Sequence, residues 1–287
     1  MAVPDLAMTA LPLGERIVLA RGDLEVVVAP QEGGRLAQIR QGGMDWLVGP
    51  DDGFPAAITW GAYPMVPWAG RIRGGRFMFD GRRWQLPPSL GPHAIHGIGF
   101  LRAWQVAERS AASLQLALDL GEDEHWPFGG RVLQTITVEP ARLSLRLQLR
   151  AGDRPMPRPV LGWHPWFRKL TRFEFKPRAY YPRDAEGIAT LPLATPPGPR
   201  DDCYLCDTPV LIEREGCRAI LRSDSDHWVY YDEPAHATCF EPQSGPPDAF
   251  NLRPGEVLAP GETVETWFDL DFSLVGPAAP SAPKAAG

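Results

Sequence analysis

Four short segments set titratable side chains among aromatics, prolines and glycines. In Leu161-Gly162-Trp163-His164-Pro165-Trp166-Phe167, one histidine stands among three aromatic rings. Apolar walls exclude water and make an imidazole sensitive to any nearby carboxylate. In Ala237-Thr238-Cys239-Phe240-Glu241-Pro242-Gln243, Glu241 ends an apolar run just before a proline. Glutamates are almost never fully buried unless paired, so this one asks for a partner. His93-Ala94-Ile95-His96-Gly97 sets two histidines three apart, but Gly91-Pro92 before them and Gly97 and Gly99 after them argue against a helix. A loop histidine followed by glycine suits polar contact with a ligand. Tyr63 to Arg73 supplies Arg71, a fork-shaped donor, with Trp68 as a neighbouring wall. One His and one Glu suffice to shuttle protons. The carboxylate takes a proton from one oxygen while the imidazolium gives one to another, a transfer worth ~10²–10⁴ in rate per step.

Each segment alone also has a bland reading. Arg71 can be a solvated surface charge, and His164 a buried ring held by a backbone carbonyl. Glu241 can simply reach solvent. Cys203 and Cys206 form one C-x-x-C, followed by Cys217 and Cys239. Zinc sites usually need a second pair at matching spacing, and His227 and His236 do not supply it, so we expect free thiols and no metal. No G-x-S-x-G, G-x-x-x-x-G-K-[ST] or G-x-G-x-x-G occurs, which argues against a serine nucleophile and a nucleotide cofactor.

The elements that must position these residues read as β. The chain has 287 residues, 44% hydrophobic and 22% charged, which excludes wholesale disorder. Its 32 Pro and 29 Gly are scattered as turn punctuation. Leu114, Leu116, Leu118 and Leu120 alternate with other residues, as do Leu143, Leu145, Leu147 and Leu149. Val132, Ile136 and Val138 share the face of a third strand, with Gln134 the polar exception. Further strands are expected near Ile17–Ala20, Glu25–Ala29, Leu36–Arg40, Asp45–Val48, Arg218–Arg222, Trp228–Tyr231, Thr238–Glu241 and Val264–Phe272. Asp80-Gly81 between Phe77–Phe79 and Arg82–Leu86 predicts a type I′ hairpin. No segment keeps helical periodicity over three turns.

We expect an all-β chain of antiparallel sheets packed face to face, with one domain over residues 1–274. The Pro-rich stretch from Leu191 to Pro209 reads as an ordered loop, and residues 275–287 as a frayed tail. Net charge is −6, so nucleic acid is a poor partner. No apolar run approaches the ~18 residues that cross a membrane, and the start lacks a basic n-region ahead of an apolar h-region. The expectation is a cytoplasmic protein.

The ordered set Gly70-Arg71, His96-Gly97…Trp104, His164-Pro165-Trp166-Phe167, Asp201-Asp202-Cys203-Tyr204 and Glu241-Pro242…Asn251 resembles the aldose 1-epimerases, the galactose mutarotase-like proteins, over roughly residues 15 to 272. The resemblance implies an antiparallel β-supersandwich that holds a sugar on a concave face of its large sheet. It implies His164 as general acid, Glu241 as general base, and His96 and Arg71 as sugar contacts. Asp201, or Asp202 beside it, matches an aspartate that bonds sugar hydroxyls. By residue type, Trp68, Trp163 and Trp166 could form a stacking wall. The implied reaction opens the ring by proton transfer from the anomeric hydroxyl to Glu241 and from His164 to the ring oxygen, then closes it on the other face, with no metal or redox cofactor. Many relatives carry Asn where Gly70 stands, which puts the identity of the sugar in question. Two alternatives remain: a phosphorylated or sulfonated hexose held by Arg71 or Arg73, and a sugar-binding protein without turnover.

Overall fold

The computed structural model describes residues 5–195 and 201–274. Among them the chain forms two large antiparallel sheets. The ten-stranded sheet runs Ile17–Arg21, Leu24–Ala29, Arg35–Gln41, Ala62–Met65, Gly162–Arg168, Ala237–Gln243, His227–Tyr231, Asp202–Leu205, Ala179–Tyr181, with Met44–Asp45 attached to Arg35–Gln41. The eight-stranded sheet runs Gln105–Arg109, Ser113–Asp119, Arg131–Glu139, Arg142–Arg150, Thr263–Leu274, Cys217–Ser223, Val210–Arg214, Arg172–Glu174.

The leucine alternation builds the eight-stranded sheet. Leu143, Leu145, Leu147 and Leu149 are fully buried, while Ser144, Arg146 and Gln148 between them reach solvent at least partly. Each buried leucine removes enough apolar surface from water to contribute ~1.5–3 kcal/mol. These side chains join Leu114, Leu116 and Phe268 against Val26, Trp163, Phe167 and Phe240 of the other sheet. That layer between the sheets is the main core.

The two strands at the middle of the ten-stranded sheet have a second buried face. Residues 162–167 and 237–243 are buried at every position. Successive side chains on a strand point to opposite faces. Trp163 and Phe167 therefore enter the main core, while His164 and Trp166 point the other way. Phe240 enters the core, and Cys239 and Glu241 share the His164 face. A strand buried on both sides shows no alternation of hydropathy.

Most expected strands are present within a residue or two. The stretch Asp45–Val48 differs: only Met44–Asp45 enters a ladder, and Leu47 makes a single bridge to Phe167. The hairpin pairs Arg76–Phe79 with Arg82–Gln85, and both Asp80 (φ 50°) and Gly81 (φ 67°) take the left-handed conformation a type I′ turn requires. The Pro-rich stretch contributes the strand Asp202–Leu205. Its residues 196–200, and the tail 275–287, lie outside the described residues. The α-helix Ala249–Leu252 is the only one among the described residues, and no helix is long and apolar enough to cross a membrane.

Candidate active site

The ladder between the two central strands sets the site. Gly162 lies opposite Gln243 and Trp166 opposite Cys239. Two residues in from each end, His164 and Glu241 face one another. His164 Nε2 stands 3.2 Å from Glu241 Oε1, with both side chains buried. On its other side His164 is register-paired with Tyr63. Tyr63 and Trp166 sandwich the imidazole, at centroid distances of 4.9 Å and 5.2 Å and interplanar angles of 29° and 13°. The ring plane is thus fixed by packing before any ligand arrives.

Burial pushes the two groups in opposite directions, because it disfavours each charged form. His164 falls to about 3, with the Arg35 charge adding to the effect of burial. Glu241 rises well above the carboxylate range through burial and then Asp201, while Arg71 and Arg183 pull it back. Burial thus favours a protonated carboxyl facing a neutral imidazole across 3.2 Å. Glu241 Oε2 and His164 Nδ1 are buried without a hydrogen-bond partner among the described residues.

His96 closes the floor edge-on to His164, 5.1 Å away at 89°. Its Nδ1 accepts a hydrogen bond of 3.3 Å from the Gly70 N–H, which leaves the ring proton on Nε2. Burial first, then His164 and Arg71, keep this ring neutral. His96 has φ 56°, rare for a non-glycine residue and typical of functional sites. The glycine after it is required: a Cβ on Gly97 (φ 75°) would meet the Val66 carbonyl oxygen at 1.8 Å.

These groups line a cavity of about 330 Å³, the size of a small-ligand site. Arg71, Arg183, Asp201 and Asp202 reach it from loops and strand ends, and Met8, Ile58 and Leu90 form an apolar rim. Asp201 is held by Arg183 at 2.5 Å. The Arg71 guanidinium has no hydrogen bond or ion pair among the described residues. Burial lowers its pKa, and Arg183 lowers it further.

The structure therefore brings together His164, Glu241, His96, Arg71, Asp201 and Trp166. It does not bring in Trp68. That side chain sits in the main core, tilted against Trp126 at 6.0 Å. Trp163 likewise faces the core and donates its Nε1–H to Gln134 Oε1. Both pack in the main core and neither lines the cavity, so neither is a stacking wall. Arg73 is also committed elsewhere, paired with Asp184 and Glu186.

Sequence reasoning missed Arg183, Tyr63 and Arg35. Arg35 is wholly buried, and its guanidinium donates to the carbonyls of Glu32, Ala57, Trp60 and Phe100 at 2.5–3.2 Å. It lies over the Trp60 and Tyr63 rings. One cation thus ties the segment after His96 to the strand that carries Tyr63. The R-x-x-x pattern around it gives no signal, because its partners are backbone oxygens distant in sequence.

All four cysteines are free and buried. Cys203 and Cys206 join no metal-type cluster among the described residues. The one trio of such donors is His164, Cys239 and Glu241.

Residues 15–271 match the family of aldose 1-epimerases. The chain belongs to the aldose 1-epimerase family. The curated relatives it matches include the Escherichia coli K12 proteins YphB, 32% identical over 124 residues, and YihR, 30% over 119, both uncharacterised. Those matches span 42% and 40% of this chain and only 41% and 37% of the relatives' own lengths. The fold is shared far more widely. A galactose mutarotase-like protein from Clostridium acetobutylicum superposes with a TM-score of 0.81 at 15% identity, covering 92% of this chain and 99% of that one. A galactose 1-epimerase from Lactobacillus acidophilus does so at 0.77 and 17%, covering 90% and 94%. The family's sugar chemistry and the antiparallel mutarotase-like fold agree with the reading of the residues.

Proposed function

We propose that this protein is a mutarotase that interconverts the α and β anomers of a free aldose, with Glu241 and His164 as its acid–base pair. The observation that carries the reading is the 3.2 Å contact between His164 Nε2 and Glu241 Oε1 at the floor of a small-ligand cavity. A bound sugar replaces that contact with its own two oxygens.

One proton on the pair is enough for the whole cycle. Passing the proton from Glu241 to His164 across their contact readies the pair; the Glu241 carboxylate then takes the anomeric hydroxyl proton as His164 Nε2 protonates the ring oxygen. The ring opens to the aldehyde, leaving Glu241 protonated and His164 neutral. That is the distribution burial favours. Rotation about the bond from the carbonyl carbon to its neighbour presents the other face. Closure returns a proton from Glu241 to the carbonyl oxygen and takes the hydroxyl proton back to His164. Net proton number never changes, so the cycle needs no proton from bulk water. His96 Nε2–H donates to a sugar hydroxyl, Asp201 accepts from one, and Trp166, stacked between His164 and His236, lends the cavity its apolar edge.

A second reading concerns charge on the sugar. Arg71 is a half-buried guanidinium without a carboxylate partner among the described residues, and such a fork matches phosphate or sulfonate oxygens. Polarimetry on freshly dissolved α-glucose, α-galactose and a hexose 6-phosphate separates the readings. Faster equilibration of either neutral sugar supports the leading one, and acceleration confined to the 6-phosphate supports the second. Saturable binding with no acceleration of any sugar would instead make it a binding protein.

A further inference from the structure

Cys239 lies two residues before Glu241 on the same strand and on the same face, diagonally across the ladder from His164. The mutarotase cycle does not use it. One donor atom each from Cys239, Glu241 and His164 lie within 4.8 Å of one another, and all three residues are buried. Among the described residues no other such trio forms.

We infer that this trio is a binding site for a soft divalent cation of the Zn²⁺ or Cd²⁺ type, and that its occupancy blocks the sugar site. Three features support it. The donor set of sulfur, imidazole nitrogen and carboxylate oxygen is the set such ions select. The arrangement is that of a three-ligand site: two alternate positions of one strand and one across the ladder point the same way. Closing to metal bonds of ~2.0–2.3 Å asks the donors to draw together by about 1 Å, a movement that falls to Cys239 and Glu241 because packing holds the His164 ring. Last, the charges balance. The ion displaces two protons, the thiol's and the one on the Glu241 carboxyl. A 2+ ion then sits with one thiolate, one carboxylate and one neutral imidazole, and the buried charge remains zero. Glu241 Oε2 and His164 Nδ1 have no partners to give up. His164 and Glu241 line the sugar cavity, and Cys239 lies buried behind them, so an ion arriving through the cavity meets those two ligands first.

The site stands on its own geometry, and only its inhibitory effect rests on the mutarotase reading. The test uses the whole chain, with Cd²⁺ and Zn²⁺ as probes and Cys239→Ser as the variant. Wild type is expected to gain the ultraviolet cadmium–thiolate absorption with one equivalent of Cd²⁺. Its anomer exchange is expected to fall with micromolar Zn²⁺, to be protected by sugar and to return on adding EDTA. Cys239→Ser is expected to lose the band and to need roughly tenfold or more Zn²⁺ for the same inhibition. An equal band and equal inhibition in Cys239→Ser would overturn the inference. If that variant does not fold, cadmium-113 NMR of wild type decides. A shift characteristic of one sulfur ligand supports the site, and one of oxygen and nitrogen ligands alone overturns it. If wild type exchanges no sugar, the mutarotase reading fails while the cadmium band still decides the metal site.

Discussion

His164 and Glu241 are cross-strand neighbours whose side chains meet at 3.2 Å, Nε2 to Oε1. Groups that act as one unit do not contribute additively. His164→Gln and Glu241→Gln are each expected to lower kcat by ~10²–10⁴. The double variant is expected to be little worse than either single one. Rates that multiply in the double variant, measured on the best sugar, would show two independent groups instead.

Arg35 satisfies four carbonyls in the wall behind Tyr63, and burial pulls its pKa down to about 9. Removing the guanidinium strands those oxygens, at ~1–3 kcal/mol for each one left unsatisfied. Arg35→Met is expected to lose at least ~3 kcal/mol of stability by urea unfolding, and Arg35→Lys less, because an ammonium can still reach some of the acceptors. A neutral effect of Arg35→Met would show that the carbonyls find other partners.

Gly70 has φ 69°, and a Cβ there would stand 2.5 Å from the Pro247 Cβ. Pro247 thus leaves no room for a side chain at position 70. Gly70→Ala is expected to destabilise by ~2 kcal/mol or more, since the left-handed backbone alone costs roughly 1–2 kcal/mol with a side chain. It is also expected to raise KM, because the Gly70 N–H sets the His96 tautomer. Pro247→Gly in the same chain is expected to restore part of the stability, leaving the backbone cost. No recovery would mean the contact is not the cause.

Burial, opposed by Asp226 and helped by Arg253, lowers His227 to about 4, and His96 lies well below its ordinary value. Both rings stay neutral when folded but take protons when unfolded. Their stabilising effect is therefore complete above the unfolded histidine pKa of ~6.5 and declines as the pH falls toward the folded values. Each adds a slope of ~1.4 kcal/mol per pH unit in that window. Urea unfolding at pH 7, 6 and 5 is expected to show this decline, made shallower by His227→Gln. An unchanged slope in the variant would remove His227 from the account.

Much of this was legible in the sequence. Leu143 to Leu149 announced their strand because one face is wet. His164 and Glu241 stood out because charged groups among aromatics and prolines need partners. Trp163 misled because residue type does not say which face of a doubly buried strand a ring takes, and Trp68, in the segment after Ala62–Met65, because it does not say whether a loop ring turns into the core. Arg35 and Tyr63 were invisible for a related reason: their partners are backbone oxygens and ring faces, set by the three-dimensional course of the chain.

The central claim is that the His164–Glu241 pair turns over a sugar instead of only holding it. Saturation-transfer NMR between anomer resonances of glucose, galactose and a hexose 6-phosphate measures this directly, beside sugar binding by His164→Gln and Glu241→Gln. The account predicts exchange in wild type on at least one sugar, lost in both variants while the sugar still binds. Exchange that survives in either variant, or binding without exchange in wild type, would contradict it.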